Sequence, residues 1–482
     1  MRRLRPFLLA VLLAGLLCPA GAHAAPPKKK ALDRRIAERI KAAKPAAGSL
    51  GLLVVDLRDG TVVASLEADR PLVPASVAKL VTAAAALDLL GPGHQFVTTL
   101  EARGTLDPAT GTLAGDLYLR GSGDPNLSRR ERESDPLWPL SALAKAAADA
   151  GVKRVTGALV LDDGAFDRSF THPNWSPEDL GHWYGAPVSG LSWNDGCVTV
   201  LVRGAQAAGS PARVLAPSTA GPWPIDAAVT TWERGRDTVV DGAWSAAKRL
   251  RVTGGIAPGI EYQFDEPVPD PIAFTGAATL AALSAAGVRV AGGARPAATA
   301  ADRAPASVLG TVKHGLPETL RVMNRRSQNF YASLVFKACG VEHEGVGTWE
   351  SGERAIRAVL EARGACADGL RVVDGSGLSR KSRLSAASLV RLLVAFDADP
   401  LRGPILRDSL AIPGEDGTLR RMRDPRARAR VRAKTGTLKG VGALAGYVDR
   451  EGGAPGHAFA VIGNKADGRD VAEDIVTELL DG

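Results

Sequence analysis

Apolar positions along the chain fall into two rhythms, a helical one near both ends and a two-residue one in the middle. Residues 32–43 repeat at helical spacing and predict an amphipathic helix with Ile36, Ile40 and Ala43 on one face. Residues 50–57 and 61–66 are β-rich runs joined through Asp59-Gly60, which predicts a hairpin. Residues 80–90 are almost all alanine and leucine, with Pro74 ahead and Gly91-Pro92 behind, and predict a buried helix with a firm stop. From Gln95 the pattern turns to short strands at 96–103, 117–119, 157–161 and 197–202, interrupted by helices at 138–150 and 279–286. Residues 166–244 are rich in Pro, Gly and Trp and read as a separate, loop-heavy unit. After Pro305 helices return at 316–338, 352–363 and 386–396. Strands follow at 428–434, 442–448 and 459–462, and a helix at 470–480 closes the chain. Similar ends around a dissimilar middle imply one α/β domain split by an insertion.

Composition narrows the class. The chain has 482 residues, 45% of them apolar and 23% charged, which is a globular balance with room for two or three domains. Residues 1–24 have the basic start, short apolar run and Ala22-His23-Ala24 end of a secretory signal, with cleavage expected before Ala25. The apolar run is too short to span a bilayer, and no other stretch approaches that length. Cys18 could mark a lipoprotein, but Leu16 and Leu17 are poor neighbours for lipidation. The expected mature protein is exported to the periplasm, or is extracellular and associated with the cell wall. Its net charge falls from +8 to about +5, and no basic-aromatic module stands out, so nucleic acid is not an expected partner. Three cysteines remain, Cys197, Cys339 and Cys366; a bridge between the last two is open, while the odd count favours buried free thiols.

Three clusters carry candidate chemistry. Ser76 and Lys79 lie three apart at the start of the 80–90 helix and share a face, so a buried, uncharged lysine could activate the hydroxyl. The plain alternative is a helix cap beside a solvated lysine. Ser245 and Lys248 repeat the spacing, but the alternating run behind them reads as a strand, which marks a decoy. Ser327 and Asn329 lie two apart in a polar loop before an apolar helix, where a hydroxyl could relay a proton and a carboxamide could grip a peptide bond. Helix capping is the alternative there, and Ser192-Trp193-Asn194 repeats the pattern in what reads as a plain turn. Lys434-Thr435-Gly436-Thr437 ends a strand with a glycine, a sign of close approach to the backbone, beside a cation and two hydroxyls suited to a carboxylate.

The ordered triple S-x-x-K, S-x-N, K-T-G resembles the active-site set of penicillin-binding proteins and serine β-lactamases. About 250 positions separate the first two motifs, more than a compact β-lactamase uses. The stretches 121–127, 184–189, 374–380 and 434–438 resemble the D-alanyl-D-alanine carboxypeptidase/endopeptidase family, the low-molecular-mass class C penicillin-binding proteins of the penicillin-binding protein 4 type. That resemblance implies an α/β, transpeptidase-like domain I, an antiparallel sheet flanked by helices. Nested, mainly β domains interrupt it: domain I at 25–97 and 305–482, domain II at 98–165 and 245–304, domain III at 166–244. It implies Ser76 as nucleophile, Lys79 as base, Ser327 and Lys434 as the proton path to the leaving amine, and Asn329 on the substrate amide. It further implies Thr435, Gly436 and Thr437 near the substrate carboxylate, with the N–H groups of Ser76 and Thr437 as the oxyanion hole. A side pocket would set Asp167 on an ammonium and Arg380 on a carboxylate, beside Leu438; a turn acid and a surface arginine are the plain alternatives. The expected partners are peptidoglycan stem peptides and cross-links, with β-lactams as covalent inhibitors, and no cofactor or metal is expected.

Two positions depart from the family pattern. Gln328 stands where aspartate is usual between Ser327 and Asn329, with its side chain expected to point away. Ser333 stands where an acid is frequent. The seven arginines within 420–432 are expected on a solvated strand face, with an anionic cell-wall polymer as the other reading. The rivals are a compact β-lactamase or esterase of the same superfamily, and a peptidoglycan-binding scaffold without turnover. The absence of Y-x-N, E-x-x-L-N, G-x-S-x-G and H-E-x-x-H weighs against other hydrolase types.

Overall fold

The computed structural model describes residues 27–128, 134–216, 221–415, 417–465 and 468–481. The expected export segment, residues 1–24, lies outside them. Both ends of the described chain meet in one five-stranded antiparallel sheet. Its order is Val431–Leu438, Val441–Val448, His457–Asn464, Leu50–Asp56, Val62–Leu66. Leu50 pairs with Gly463 and Asp56 with His457, which joins strands from near the two ends of the chain side by side.

Side chains alternate across this sheet and sort into two cores. Leu52, Val54, Leu444, Phe459 and Val461 face the terminal helices Pro27–Ala43 and Gly468–Leu480, packing on Leu32, Ile36, Ile475 and Leu479. Ile36 is buried as expected and Ile40 partly so, but Ala43 is exposed at the helix end. On the other face the sheet offers mostly small groups, Ala443, Ala445, Ala458 and Ala460. That lets the helix Ala78–Leu89 sit close, covered in turn by Asn329–Glu344, Trp349–Ala362 and Ala386–Asp397.

The middle of the chain forms separate sheets. A seven-stranded sheet joins Gln95–Asp107, Thr112–Gly121, Arg154–Val155 and Leu159–Asp162 to Arg289–Val290, Ala294–Pro296 and Ser307–Gly315. The helices Leu140–Asp149 and Pro271–Ala285 pack on it, the second starting earlier than expected because the Asp270 carboxylate caps it. Two three-stranded sheets follow. Leu250–Ile256 lies between Val239–Trp244 and Ile225–Thr231, and Cys197–Arg203 lies between Glu261–Pro267 and Arg213–Leu215. The boundary expected at 244/245 therefore falls inside a hairpin, and we propose that the innermost unit extends to about Pro267 instead. The decoy pair Ser245 and Lys248 sits in that hairpin's turn, with Lys248 at a φ of 52°.

The arginine-rich stretch is not the expected strand face. Asp424 caps a short helix, Pro425–Arg430, and the strand begins only at Val431. The period-two arginines from 426 to 430 thus lie on a helical turn, where Arg426 and Arg428 pair with Asp424 and Glu415. The three cysteines of the described chain are free thiols, and burial pushes the Cys339 thiol up to about 12. Among the described residues no helix is long and apolar enough to cross a membrane.

Asn464, at the end of a central strand, clamps the segment that leads into the Ser76 turn. Its Oδ1 accepts from Val73 N at 2.9 Å and its Nδ2 donates to Val73 O at 3.0 Å. Asn464→Ala is expected to cost about 1–3 kcal/mol, read as a lower midpoint in thermal or denaturant unfolding.

Candidate active site

Ser76 lies in a single 3-10 turn, Ala75–Val77, that runs straight into the helix Ala78–Leu89. Ala75 is held at a φ of 48°, a left-handed conformation that costs an alanine roughly 1–2 kcal/mol. Its surroundings leave it no other place. A Cβ on Gly377 would lie 1.9 Å from Ala75 O, and one on Gly436 would lie 2.8 Å from Pro74 O and 3.2 Å from Ser76 N. Backbone therefore packs against backbone on both sides of the serine, and the glycine of Lys434-Thr435-Gly436 is the residue that permits it.

One turn on, Lys79 is fully buried between the sheet and the helices. Its Nζ lies 2.9 Å from Ser76 Oγ, 2.7 Å from Asn329 Oδ1 and 2.8 Å from Ser376 O. Burial pulls its pKa down to about 7, against the opposing pull of Asp374. An uncharged amine has two hydrogens and one lone pair. The two acceptors that are not the serine, Asn329 Oδ1 and Ser376 O, take the hydrogens, so the lone pair is left facing the Ser76 hydroxyl.

The Ser376 carbonyl is fixed by a carboxylate that the sequence reading did not single out. Asp374 is completely buried; its Oδ1 accepts from Gly377 N at 3.0 Å, and its Oδ2 accepts from Ser376 Oγ at 3.0 Å and Ser379 N at 2.8 Å. The indole N–H of Trp175, which lies in the inserted part of the chain, donates to the same Oδ2 at 2.8 Å.

The second and third motifs meet in the same cleft. The expected helix at 316–338 is broken into Leu316–Arg325 and Asn329–Glu344, and Ser327 stands in the break at a φ of 57°. Lys434 is fully buried; its Nζ donates to Ser327 Oγ at 2.8 Å and to Thr435 O at 2.8 Å. Burial, and then the charges of Lys79 and Arg469, hold its pKa well below the ordinary lysine range. Asn329 accepts from Lys79 and donates from Nδ2 to Tyr184 O at 2.9 Å, which leaves one N–H of the carboxamide unused. Gln328 points the other way, toward Asp195. Ser192 and Asn194 form a buried turn of their own.

Ser76, Ser327, Thr435 and Thr437 open onto a cavity of about 370 Å³. Its remaining wall is Gly417, Thr418, Arg420, Arg421 and Arg469. Of these the arginine run is expected from sequence on a solvated strand face or along an anionic polymer, not in the cleft, and Arg469 carries no sequence signal. The expected side pocket is less complete. Asp167 accepts from Lys337 Nζ at 2.6 Å, a lysine buried under Trp349, so its charge is answered within the protein and an ammonium would have to displace Lys337. Lys337 also sits two helical turns from Asn329, about 12 Å by helix rise. Arg380 donates to Lys439 O at 2.7 Å, next to Leu438 at the end of the Lys434 strand.

A serine hydroxyl beside a buried lysine, with a second Ser–Lys pair in the same cleft, is an arrangement suited to acyl transfer. A family model described as "D-Ala-D-Ala carboxypeptidase 3 (S13) family" matches residues 32–480. A D-alanyl-D-alanine carboxypeptidase of Actinomadura sp. is 34% identical over 429 residues, covering 86% of this chain and 77% of that protein. The D-alanyl-D-alanine carboxypeptidase DacB of Haemophilus influenzae is 25% identical over 418 residues, covering 84% and 83%. The crystal structure of penicillin binding protein 4 from Haemophilus influenzae superposes with a TM-score of 0.77 at 23% identity, over 92% of this chain and 98% of that one. The chain belongs to the S13 family of D-Ala-D-Ala carboxypeptidases.

Because Gly436 leaves no room for a Cβ against Pro74 and Ser76, Gly436→Ala moves the serine off its place. A displacement of about 1 Å is expected to lower acylation of Ser76 by about 10²-fold, measured as the rate of covalent labelling by a fluorescent penicillin.

Proposed function

We propose that the protein is a serine D-Ala-D-Ala carboxypeptidase and D,D-endopeptidase acting on peptidoglycan stem peptides and their cross-links. The observation that carries this reading is the 2.9 Å contact between Ser76 Oγ and the fully buried amine of Lys79. Lys79 takes the hydroxyl proton as Ser76 Oγ attacks the carbonyl of the penultimate D-alanine. The N–H groups of Ser76 and Thr437 receive the oxyanion. Collapse breaks the C–N bond, and the proton taken from Ser76 passes to the leaving amine through Ser327, with Lys434 as the relay. Water then hydrolyses the acyl-serine, with the same groups run in reverse.

Substrate recognition follows from the walls of the cleft. The free N–H of Asn329 meets the substrate amide, and Thr435, Gly436 and Thr437 line the place of its carboxylate. Arg380 and Leu438 offer a second contact at the end of that strand. Penicillin binding protein 4 of Haemophilus influenzae has been crystallised in complex with a β-lactam. A β-lactam here would acylate Ser76 by ring opening, with the nitrogen tethered in place of a departing amine. Residues 1–24 would direct the chain out of the cytoplasm, to the compartment where its substrate lies.

A fluorescent penicillin tests the nucleophile. Wild type is expected to carry covalent label and Ser76→Ala none; label retained on the variant would overturn the assignment. The pH profile tests the base. Since the uncharged form of Lys79 is the active one, labelling is expected to rise through an apparent pKa near 7 and level above it, falling about tenfold per pH unit below. A rate that stays flat down to pH 5 would contradict it.

A further inference from the structure

The cavity beside Ser76 holds more positive charge than a single carboxylate needs. Arg420 and Arg421 are exposed on its wall, and among the described residues neither has a hydrogen bond or an ion pair. Arg469 on the same wall is already engaged, donating to Glu473 at 2.9 Å and to Thr418 O at 3.3 Å. Further along, Arg426 pairs with Asp424 and Arg428 with Glu415, and Arg423, which is likewise without a partner among the described residues, does not line the cavity. Arg420 and Arg421 are thus the unpaired cations of this stretch that line the cleft.

These positions are held there by the fold. Gly417, at a φ of 65°, packs so tightly that a Cβ would lie 2.0 Å from Arg325 O, at the end of the helix that leads into Ser327. The guanidinium of Arg469, from the start of the last helix, grips the next carbonyl, Thr418 O. The segment bearing Arg420 and Arg421 is therefore fixed to the Ser327 turn. In the mechanism above, Ser327 hands the proton to the departing amine, so this wall is the leaving-group side.

We propose that Arg420 and Arg421 form a subsite for a second carboxylate on the leaving group, beyond the one that Thr435 and Thr437 face. The ligand class is an amino acid or peptide amine that carries an additional carboxylate. Arginine suits the task because its planar fork meets a carboxylate with two parallel hydrogen bonds. The inference rests on the reading of Ser76 as the nucleophile of a D,D-peptidase.

The test compares two synthetic peptides that differ by one carboxylate, N-acyl-D-Ala-D-Ala and N-acyl-D-Ala-D-Glu. Wild type is expected to favour the second in kcat/KM by about fivefold or more at low ionic strength, and less in high salt because exposed charges are screened. In Arg420→Gln/Arg421→Gln that preference is expected to vanish, and in Arg420→Lys/Arg421→Lys most of it is expected to remain. Labelling of both variants by a fluorescent penicillin shows that the Ser76 site is assembled. Cleavage of both peptides with the same ratio in wild type and the glutamine variant would overturn this inference alone. Failure of wild type to cleave either peptide would overturn it together with the reading it rests on.

Discussion

Everything in the cleft depends on keeping one amine out of water. Lowering a lysine from 10.5 to about 7 sets on the order of 5 kcal/mol against its charged form. The chain achieves this with volume rather than with charge. Alanines at 443, 445, 458 and 460 on the sheet face an alanine-rich helix, so the two layers close over Lys79 without space for solvent. An uncharged amine must still place its two hydrogens. The carbonyl of Ser376 and the carboxamide of Asn329 accept them, and each is in turn held by a further group, Asp374 in one case and Tyr184 O in the other.

A second consequence is local strain at both hydroxyls. Ser327 itself and Ala75, the neighbour of Ser76, have left-handed backbones that these residue types rarely adopt. Such conformations persist where the surroundings over-determine them. Here the determinants are glycines that admit backbone to backbone, Gly377 and Gly436 around the Ser76 turn and Gly417 beside the Ser327 turn. Stability spent on these turns fixes two oxygens in the same cavity, although their residues are 251 positions apart in sequence.

Much of this was legible from residue order. The Ser76 helix, the hairpin before it and the closing strands and helix have regular patterns, and the strand pairing follows them. The three motifs were found because each combines a chemically reactive side chain with a local structural signal, and the decoys failed on that second count. What stayed hidden depends on contacts between distant segments. Asp374 acts through loop hydrogen bonds and an indole from the inserted part of the chain. Arg469 reaches the cleft because the last helix begins beside it. Period-two arginines at 426, 428 and 430 imitate a strand, but Asp424 and Pro425 start a helical turn there and the rhythm loses its meaning. Asp167 has the right residue type for an ammonium site, and no local pattern foretells that Lys337 would occupy it. The edge expected at 244/245 falls within a strand pair, because a composition shift marks a change in loop content and not in strand pairing.

The charge state of the Lys79 side chain decides whether Ser76 has a base beside it. Nuclear magnetic resonance of protein with isotopically labelled lysine, with Lys79 assigned by its loss in Lys79→Arg, can follow that amine through a pH titration. The midpoint is expected near 7 in the free enzyme. A Lys79 that stays protonated until pH 10 would contradict the account, because a cation beside Ser76 has no lone pair with which to take the proton.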